Sequence, residues 1–205
     1  MIRVTGSARR SFVFPGELPL AYAYYADIGR VLSYLPHICL VRTYGPDRLR
    51  LLYSSTELGI YQIRIFADVQ TKLEDGRVLR IRQLGEVPPV KVTVGSHSAT
   101  AQGYFSSLSV FRDEGDKTRI DYSLQLRADL PTPLGLRLMP GRLVDGIAKS
   151  ITNMRIREIV EGFIERSTDA FPHWLAELQN HGFLPESGVT PVPRPPVPTC
   201  PEEHP

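Results

Sequence analysis

The sequence predicts an α+β domain in which a curved antiparallel sheet wraps around a long C-terminal helix. Three observations lead to this prediction. Turn-forming residues join successive strand-like segments between positions 38 and 130, and two short helical segments precede that series. After position 140, apolar residues recur with helical spacing. Because hairpin turns connect the strands, the sheet is expected to be antiparallel rather than doubly wound and parallel.

The N-terminal part predicts one strand and two short helices. Residues 3–14 alternate between polar and apolar side chains, which is typical of a half-buried strand. The next segment predicts helices over 18–26 and 28–35. Asp27 can cap the second of these helices, and Pro36 ends it.

Six further strands follow, with two turns that share one residue pattern. They are predicted over 38–44, 48–56, 60–73, 77–84, 101–112 and 116–130. The turns Glu74-Asp75-Gly76 and Asp113-Glu114-Gly115 indicate three-residue hairpin loops, in which glycine takes the left-handed backbone conformation. The stretch 85–100 contains Pro88-Pro89 and predicts a long loop with room for one short strand over 90–94.

A long helix is predicted after Gly141. Its first half carries an apolar stripe, and beyond Met154 a second stripe points in another direction, which predicts a bend or a second packing surface. Pro172 predicts a break near residue 170, followed by a last helix that ends at Gly182. The proline-rich residues 185–205 are predicted to form a disordered tail, which leaves residues 1–184 as one domain.

This order of elements resembles the helix-grip fold of the START and Bet v 1-like (SRPBCC) superfamily, which includes polyketide cyclases and lipid-transfer domains. The segment VLSYLPHICLV resembles the helical pair of this superfamily, in which a proline closes the second helix before the next strand. The segment STELGIYQIRIFADVQ and the stretch from LPTPLGLRLMPGRLVDGI to HWLAELQ resemble a bacterial, cyanobacterial and chloroplast branch of it. The resemblance covers residues 3–182. It implies a cavity between sheet and helix for a hydrophobic small molecule, and it implies no shared catalytic motif.

The turn geometry predicts which side chains line that cavity. A three-residue loop at 113–115 pairs Arg112 with Asp116. Counting back from this pair places Ser106 opposite Tyr122 and Tyr104 opposite Leu124, so these residues are expected on the same face of the sheet. The assignment requires a regular register, because a slip of one residue exchanges the two faces. The predicted lining residues are Tyr104, Ser106, Leu108, Tyr122 and Leu124 on this hairpin, Ile81 on the preceding hairpin, and Ile147, Ile151 and Met154 on the long helix.

Composition argues against several classes of partner. A net charge of +2 does not favour nucleic acid, and no two histidines have the spacing of metal ligands, so neither a metal nor another cofactor is predicted. Cys39 and Cys200 are too few for a disulfide framework. The sequence has neither a signal-peptide pattern nor an apolar run long enough to span a bilayer. A cytoplasmic, reduced protein without stable membrane insertion is therefore expected, and its oligomeric state is left open.

Three functions remain compatible with the sequence. The first is a non-enzymatic carrier or sensor of a hydrophobic molecule such as a lipid, an isoprenoid or a pigment precursor. The second is a cyclase or hydratase that uses tyrosine and serine hydroxyls, and the third is an interaction protein with a filled core. Because no histidine or carboxylate falls on the predicted inner face, the first is favoured over the second.

Overall fold

The computed structural model of the chain describes residues 1–75, 77–180 and 200. Its strands are β1 (Ile2–Phe14), β2 (Ile38–Gly45), β3 (Arg48–Glu57), β4 (Tyr61–Glu74), β5 (Val78–Gln83), β6 (Thr93–Val94), β7 (Ser98–Asp113) and β8 (Thr118–Leu130). Its helices are α1 (Leu18–Ala26), α2 (Ile28–Ser33) and α3 (Gly141–Asn180), with a short 3-10 turn at Leu134–Leu136.

One curved sheet wraps around α3, which confirms the predicted helix-grip architecture. Seven strands follow the order β1-β8-β7-β5-β4-β3-β2, and β6 pairs with β7 as the eighth. Gly6 allows β1 to pass close beneath α3, because a Cβ atom at this position would overlap the Ile156 side chain. No helix in the described part of the chain is long and apolar enough to cross a membrane.

The short strand β5 produces one local parallel pairing within the otherwise antiparallel sheet. β5 pairs antiparallel with residues 69–74 of β4 and with 107–110 of β7. Because both neighbours run antiparallel to β5, they run parallel to each other. Beyond the end of β5 they pair directly, over residues 62–66 and 98–102. This direct pairing keeps the sheet continuous beyond the end of β5. The chain between β5 and β7 forms the predicted loop, which contains the short strand β6.

The loop of the β7–β8 hairpin is longer than the sequence predicts. Asp113 pairs with Thr118, so four residues, 114–117, form the loop. Gly115 does take the expected left-handed conformation, with φ of 83°. The fourth loop residue shifts the register by an odd number of positions, and an odd shift exchanges the two faces of β7 relative to β8.

The prediction that Tyr104, Ser106 and Leu108 share the concave face with β8 is therefore wrong. Tyr104 is 40% exposed, and the other two side chains are half-buried on the opposite face. Phe105 and Phe111 take the concave positions of β7 and are buried in the core.

The β4–β5 hairpin keeps its predicted faces. A three-residue loop at 74–76 would pair Leu73 with Arg77 and therefore Val69 with Ile81. Ile81 instead pairs with Thr71, and this shift of two positions leaves each side chain on its face. Ile81 and Val69 are both buried in the core, as expected. The left-handed residue observed at this turn is Asp75, with φ of 48°, and Gly76 lies outside the described residues.

α3 is a single helix of 40 residues, so the predicted break near residue 170 is wrong. Pro172 lies inside the helix, where a proline removes one backbone hydrogen bond at a cost of about 3 kcal/mol. The flanking Phe171 and Trp174 are both buried, and their packing offsets this cost. The predicted helix end at Gly182 and the tail over 185–205, except Cys200, lie outside the described residues.

The two halves of α3 have different surroundings. The second half packs into an aromatic core, where the Phe171 ring lies 4.6 Å from that of Phe14 and the Trp174 ring lies 5.1 Å from that of Tyr24. Between residues 141 and 151, only Val144 is buried. This first half therefore covers the part of the sheet where the core is not filled.

A disulfide joins Cys39 of β2 to Cys200, whose Cα atoms lie 5.5 Å apart. The backbone N–H of Cys200 also donates to the carbonyl oxygen of Leu40 at 3.3 Å. β2 is an edge strand, so its outer backbone groups are available for such pairing. The expectation of two reduced cysteines is corrected here, because a long separation in sequence does not prevent contact in the fold.

A buried ion pair fastens the loop after β5 to the convex side of the sheet. Asp68 is fully buried, and Arg50 donates to its two carboxylate oxygens at 2.7 and 2.9 Å. Gln102 donates a third hydrogen bond to this carboxylate at 3.2 Å. Arg50 also donates to the carbonyl of Pro88, and the side-chain oxygen of Gln102 accepts from the Val90 N–H.

Candidate functional site

A cavity of about 140 Å³ lies between the first half of α3 and the concave face of the sheet. Four strands and the segment between β8 and α3 enclose it. Its lining consists of Ile2 and Val4 from β1; Tyr53, Ser55 and Glu57 from β3; Leu58 from the β3–β4 loop; Tyr61, Ile63 and Ile65 from β4; Leu126 and Leu130 from β8; Pro131, Pro133, Leu136 and Met139 from the following segment; and Val144, Ile147, Ala148, Ile151, Thr152, Arg155, Ile156 and Ile159 from α3.

The size and lining of the cavity limit what it can hold. Pockets for drug-sized ligands measure about 300–1,000 Å³, whereas apolar cavities near 150 Å³ hold single rings such as benzene. Most of the lining is aliphatic, so an apolar group is favoured. Leu58 lines the cavity and is 59% exposed, which places the mouth beside the β3–β4 loop.

Polar groups are concentrated on one wall, where β3 faces α3. The Ser55 hydroxyl donates to Glu57 Oε1 at 2.7 Å. Arg155 of α3 donates to both carboxylate oxygens of Glu57, at 2.9 Å from Nε and 3.2 Å from Nη2. Glu57 is 7% exposed. A buried carboxylate is stable only when it is paired and hydrogen-bonded, and this wall supplies both.

The network continues outward from Arg155 to the surface. Arg155 Nη1 donates to Glu158 Oε2 at 2.7 Å, and His37 Nε2 lies 2.8 Å from Glu158 Oε1. The hydrogen bond with Glu57, followed in size of effect by the one with Glu158, raises the pKa of Arg155. The hydrogen bond with His37, followed by the one with Arg155, lowers the pKa of Glu158. His37 holds this position from a left-handed backbone conformation, with φ of 62°.

The wall can orient a ligand, but it has no free acid or base for proton transfer. Glu57 and Arg155 neutralise each other, and burial raises the pKa of Tyr53, so that its phenol stays neutral. General acid–base catalysis needs a group that titrates near the working pH. Among the described residues, no three His, Cys, Asp or Glu side chains are grouped to hold a metal ion.

Acid conditions will remove the stabilisation that Glu158 contributes. Its folded pKa lies below its ordinary value of 4.5, so the folded state binds fewer protons than the unfolded state near that pH. Stability from this group is therefore present above about pH 4.5 and falls as the pH drops through the lower folded value. The effect will be small, because the side chain is 42% exposed.

Urea unfolding of wild type and of Glu158→Gln between pH 3 and pH 7 measures this contribution. The variant should lose part of the acid dependence, whereas Glu165→Gln, on the exposed side of the same helix, should keep it. Equal pH profiles for wild type and Glu158→Gln would contradict the assignment.

The structure brings some of the predicted site residues to the cavity and leaves others elsewhere. Ile147 and Ile151 line it. Tyr122, Leu124 and Ile81 lie on the concave face, but they are buried in the filled core, where the Tyr122 ring packs 4.9 Å from that of Phe163. Met154 is 53% exposed, and Tyr104, Ser106 and Leu108 lie on the other face of the sheet. Ligand binding by any of these residues stays a prediction.

Sequence reasoning missed the polar wall. Ser55 and Glu57 continue the alternation of Leu49, Leu51 and Tyr53 along β3, all of which are buried. The sequence did contain one signal for this wall, because the Glu57 carboxylate continues a row of side chains that is otherwise mostly apolar. Its partner Arg155 could not be identified, because the sequence does not show which turn of α3 crosses β3.

Comparisons with known proteins give distant structural likenesses. No family model matches the chain, and no curated protein matches it. Similar solved structures include TTHA0849 from Thermus thermophilus, with 19% identity and a TM-score of 0.46 over 80% of this chain and 99% of that one. DR_A0006 from Deinococcus radiodurans shows 12% identity and a TM-score of 0.46 over 87% and 100%.

A third similar structure is the ZhuI aromatase/cyclase from Streptomyces sp. R1128, with 14% identity and a TM-score of 0.44 over 87% of this chain and 96% of that one. These TM-scores are below 0.5, so the likenesses carry no argument about this chain. The fold assignment itself follows from the strand order and the helix packing described above.

Proposed function

We propose that this protein binds a small, mostly apolar molecule in the cavity between the sheet and α3. The observation that supports this is a mostly aliphatic cavity with a buried hydrogen-bonded group, formed by Ser55, Glu57 and Arg155, on one wall. Binding sites for small molecules are mainly apolar, with a few placed polar groups that fix orientation. A volume of about 140 Å³ suits one ring or a short acyl segment. A whole lipid, isoprenoid or pigment would have to extend through the mouth.

The polar wall favours a ligand that carries a hydroxyl group. Ser55 donates its hydroxyl hydrogen to Glu57, so its oxygen lone pairs remain available to accept. The neutral phenol of Tyr53 lies on the same wall, where it is hydrogen-bonded to Ser55. Because the Ser55 hydrogen is donated to Glu57, a ligand hydroxyl would donate its own hydrogen to a lone pair that remains on one of these two oxygens.

Binding without conversion fits this site better than catalysis. A cyclase-type role would fall to Tyr53 and Ser55, since Tyr104 and Ser106 lie outside the cavity. Neither Tyr53 nor Ser55 has a free general base beside it, because Glu57 is already paired with Arg155. An interaction module with a filled core is disfavoured by the cavity itself.

Comparing Ile151→Ala with Ile81→Ala tests whether the space beneath α3 is a cavity or a filled core. Ile151 lines the cavity and is half-buried, whereas Ile81 is 2% exposed and lies in the filled core. Ile81→Ala should lower the free energy of unfolding by about 2–5 kcal/mol, and Ile151→Ala by less than about 2 kcal/mol. Thermal shift with phenol and with 1-naphthol measures binding in each variant. Phenol should stabilise the wild type, and 1-naphthol should stabilise Ile151→Ala more than the wild type.

Equal stability losses at both positions, with no ligand-induced shift in any variant, would contradict the cavity proposal. Native mass spectrometry of protein purified from its own host extends the test to the natural ligand. A bound molecule that keeps both its mass and its chromatographic retention time during incubation supports a carrier. A change in either, which includes a ring closure that conserves mass, supports the cyclase alternative.

A further inference from the structure

Six exposed apolar side chains are concentrated in three segments of the chain. Thirteen large apolar residues are exposed in the described structure, and nearly half of them lie in residues 1–2, 57–61 and 131–143. We call this group the apolar rim; its members are Met1, Leu58, Ile60, Leu134, Leu138 and Leu143. Single exposed apolar residues are normal, but a contiguous group marks an interaction site.

Direct contacts bring the three segments together around the mouth of the cavity. The N-terminal ammonium donates to the Thr132 hydroxyl at 3.1 Å. The Tyr61 hydroxyl lies against Gly135, within 2.7 Å of where a Cβ atom would be. Each segment also contributes to the cavity lining, through Ile2, Leu58 and Leu136 respectively. The apolar rim therefore surrounds the route by which a ligand could enter beside Leu58.

Leu58 has a backbone conformation that leucine rarely adopts. Its φ is 52°, in the left-handed region, and Gly59 follows with φ of 74°. The side chain is also 59% exposed to water. Glycine or asparagine would satisfy this turn at less cost, and neither would place an apolar group at its tip. A strained and exposed leucine at the mouth is more readily explained by contact with an apolar phase than by folding.

The charges around the apolar rim are mostly positive. Arg137 and Arg142 are exposed, and in the described part of the chain neither guanidinium has a carboxylate partner. Glu57 is the only carboxylate in the three segments, and it is buried against Arg155. The nearest acidic residues along the chain are Asp129, which pairs with Arg3, and Asp145, one turn into α3.

We propose that the apolar rim docks reversibly onto the surface of a bilayer that contains anionic lipid. The leucines would enter the boundary between headgroups and acyl chains, and Arg137 and Arg142 would contact lipid phosphates. Apolar tips flanked by arginines are the combination that interfacial binding requires. Docking would place the cavity mouth against the bilayer, so that a poorly soluble ligand could pass without crossing water.

The shape of the apolar rim favours a bilayer over a protein partner. Its members come from the N-terminus, a hairpin loop, the segment before α3 and the first turn of α3, and Leu138 is 97% exposed. Such protruding side chains do not form the flat, well-packed core that a stable protein interface needs. A fluid lipid surface adapts to them.

Vesicle flotation tests the proposal with the full chain. Wild type should float with phosphatidylcholine vesicles that contain phosphatidylserine, and less with pure phosphatidylcholine. Leu138→Ser should weaken partitioning by about tenfold. Leu58→Asn should weaken it while leaving the thermal midpoint unchanged or higher, because asparagine tolerates the left-handed conformation. Leu73→Ser, at an exposed leucine on β4, is the matched control and should bind as wild type does.

Charge variants separate docking from nonspecific attraction. Arg137→Gln and Arg142→Gln should each weaken binding to anionic vesicles by about fivefold, and Arg9→Gln on β1 should not. Failure of the wild type to float with anionic vesicles, or equal effects of Leu138→Ser and Leu73→Ser, would overturn the proposal. A wild-type dimer in solution that Leu138→Ser converts to a monomer would also overturn it, because the apolar rim would then be an interface between copies. Cavity binding by phenol is measured without vesicles, so either proposal can fail alone.

Discussion

Arg50→Met will lower the free energy of unfolding by about 3–5 kcal/mol, because it leaves a buried carboxylate without its charged partner. Asp68 is fully buried and receives two of its hydrogen bonds from Arg50. Methionine fills similar space without a charge, so the carboxylate would remain buried with only the weaker donors Gln102 and Tyr44. Urea unfolding followed by circular dichroism measures the loss.

Arg48→Met, at an exposed position on the same strand, is the matched control and should change stability by less than about 0.5 kcal/mol. Adding Asp68→Leu to Arg50→Met should recover most of the loss, because an apolar pair leaves no unpaired buried charge. In hydrogen exchange, the Val90 amide should lose protection in Arg50→Met, since the loop is fastened through this network. A loss no greater than that of Arg48→Met would contradict the account.

Breaking the disulfide will lower stability by about 2–5 kcal/mol. Cys39 and Cys200 are 161 residues apart, so the bond restricts a large part of the unfolded chain. Cys39→Ser and Cys200→Ser should each produce the same loss, and the double variant should lose no more than either single one. Thermal unfolding with and without dithiothreitol measures the effect, and the reductant should destabilise only the wild type.

As a disordered segment, the proline-rich tail would be dispensable for stability, and the disulfide changes that expectation. Deletion of residues 186–205 removes Cys200 and should therefore destabilise the protein as much as Cys200→Ser does. A deletion that leaves the thermal midpoint unchanged under oxidising conditions would show that the bond contributes nothing to stability. If dithiothreitol lowers the midpoint of Cys39→Ser, its effect has another origin.

The sequence predicted the order of elements well because each element carries local signals. Asp27 caps α2, as predicted, by accepting from the Arg30 N–H at 3.3 Å. The predicted turn glycine Gly115 adopts the left-handed conformation. Such signals depend on a few neighbouring residues, and these are visible in the chain.

Features that depend on distant contacts could not be predicted. The turn itself was predicted, but its loop has four residues, 114–117, instead of three. The prediction therefore assigned Tyr104 and Ser106 to the wrong face of the sheet. Pro172 was expected to end a helix that tertiary packing of Phe171 maintains. The polar wall forms because Glu57 of β3 contacts Arg155 of α3, which lies 98 residues later in the chain. No local sequence pattern shows where α3 crosses β3.

The pairing of β1 with β8 has a consequence for the order of events during synthesis. Every residue of β1 pairs with a partner more than one hundred residues later in the chain. At about 5–20 residues per second, a ribosome needs roughly 5–25 s to produce that partner after β1 has emerged. Throughout this time β1 has no strand beside it, and exposed unpaired strands attract other nascent chains. Its arginines Arg3, Arg9 and Arg10 supply the charge that discourages such association until β8 arrives.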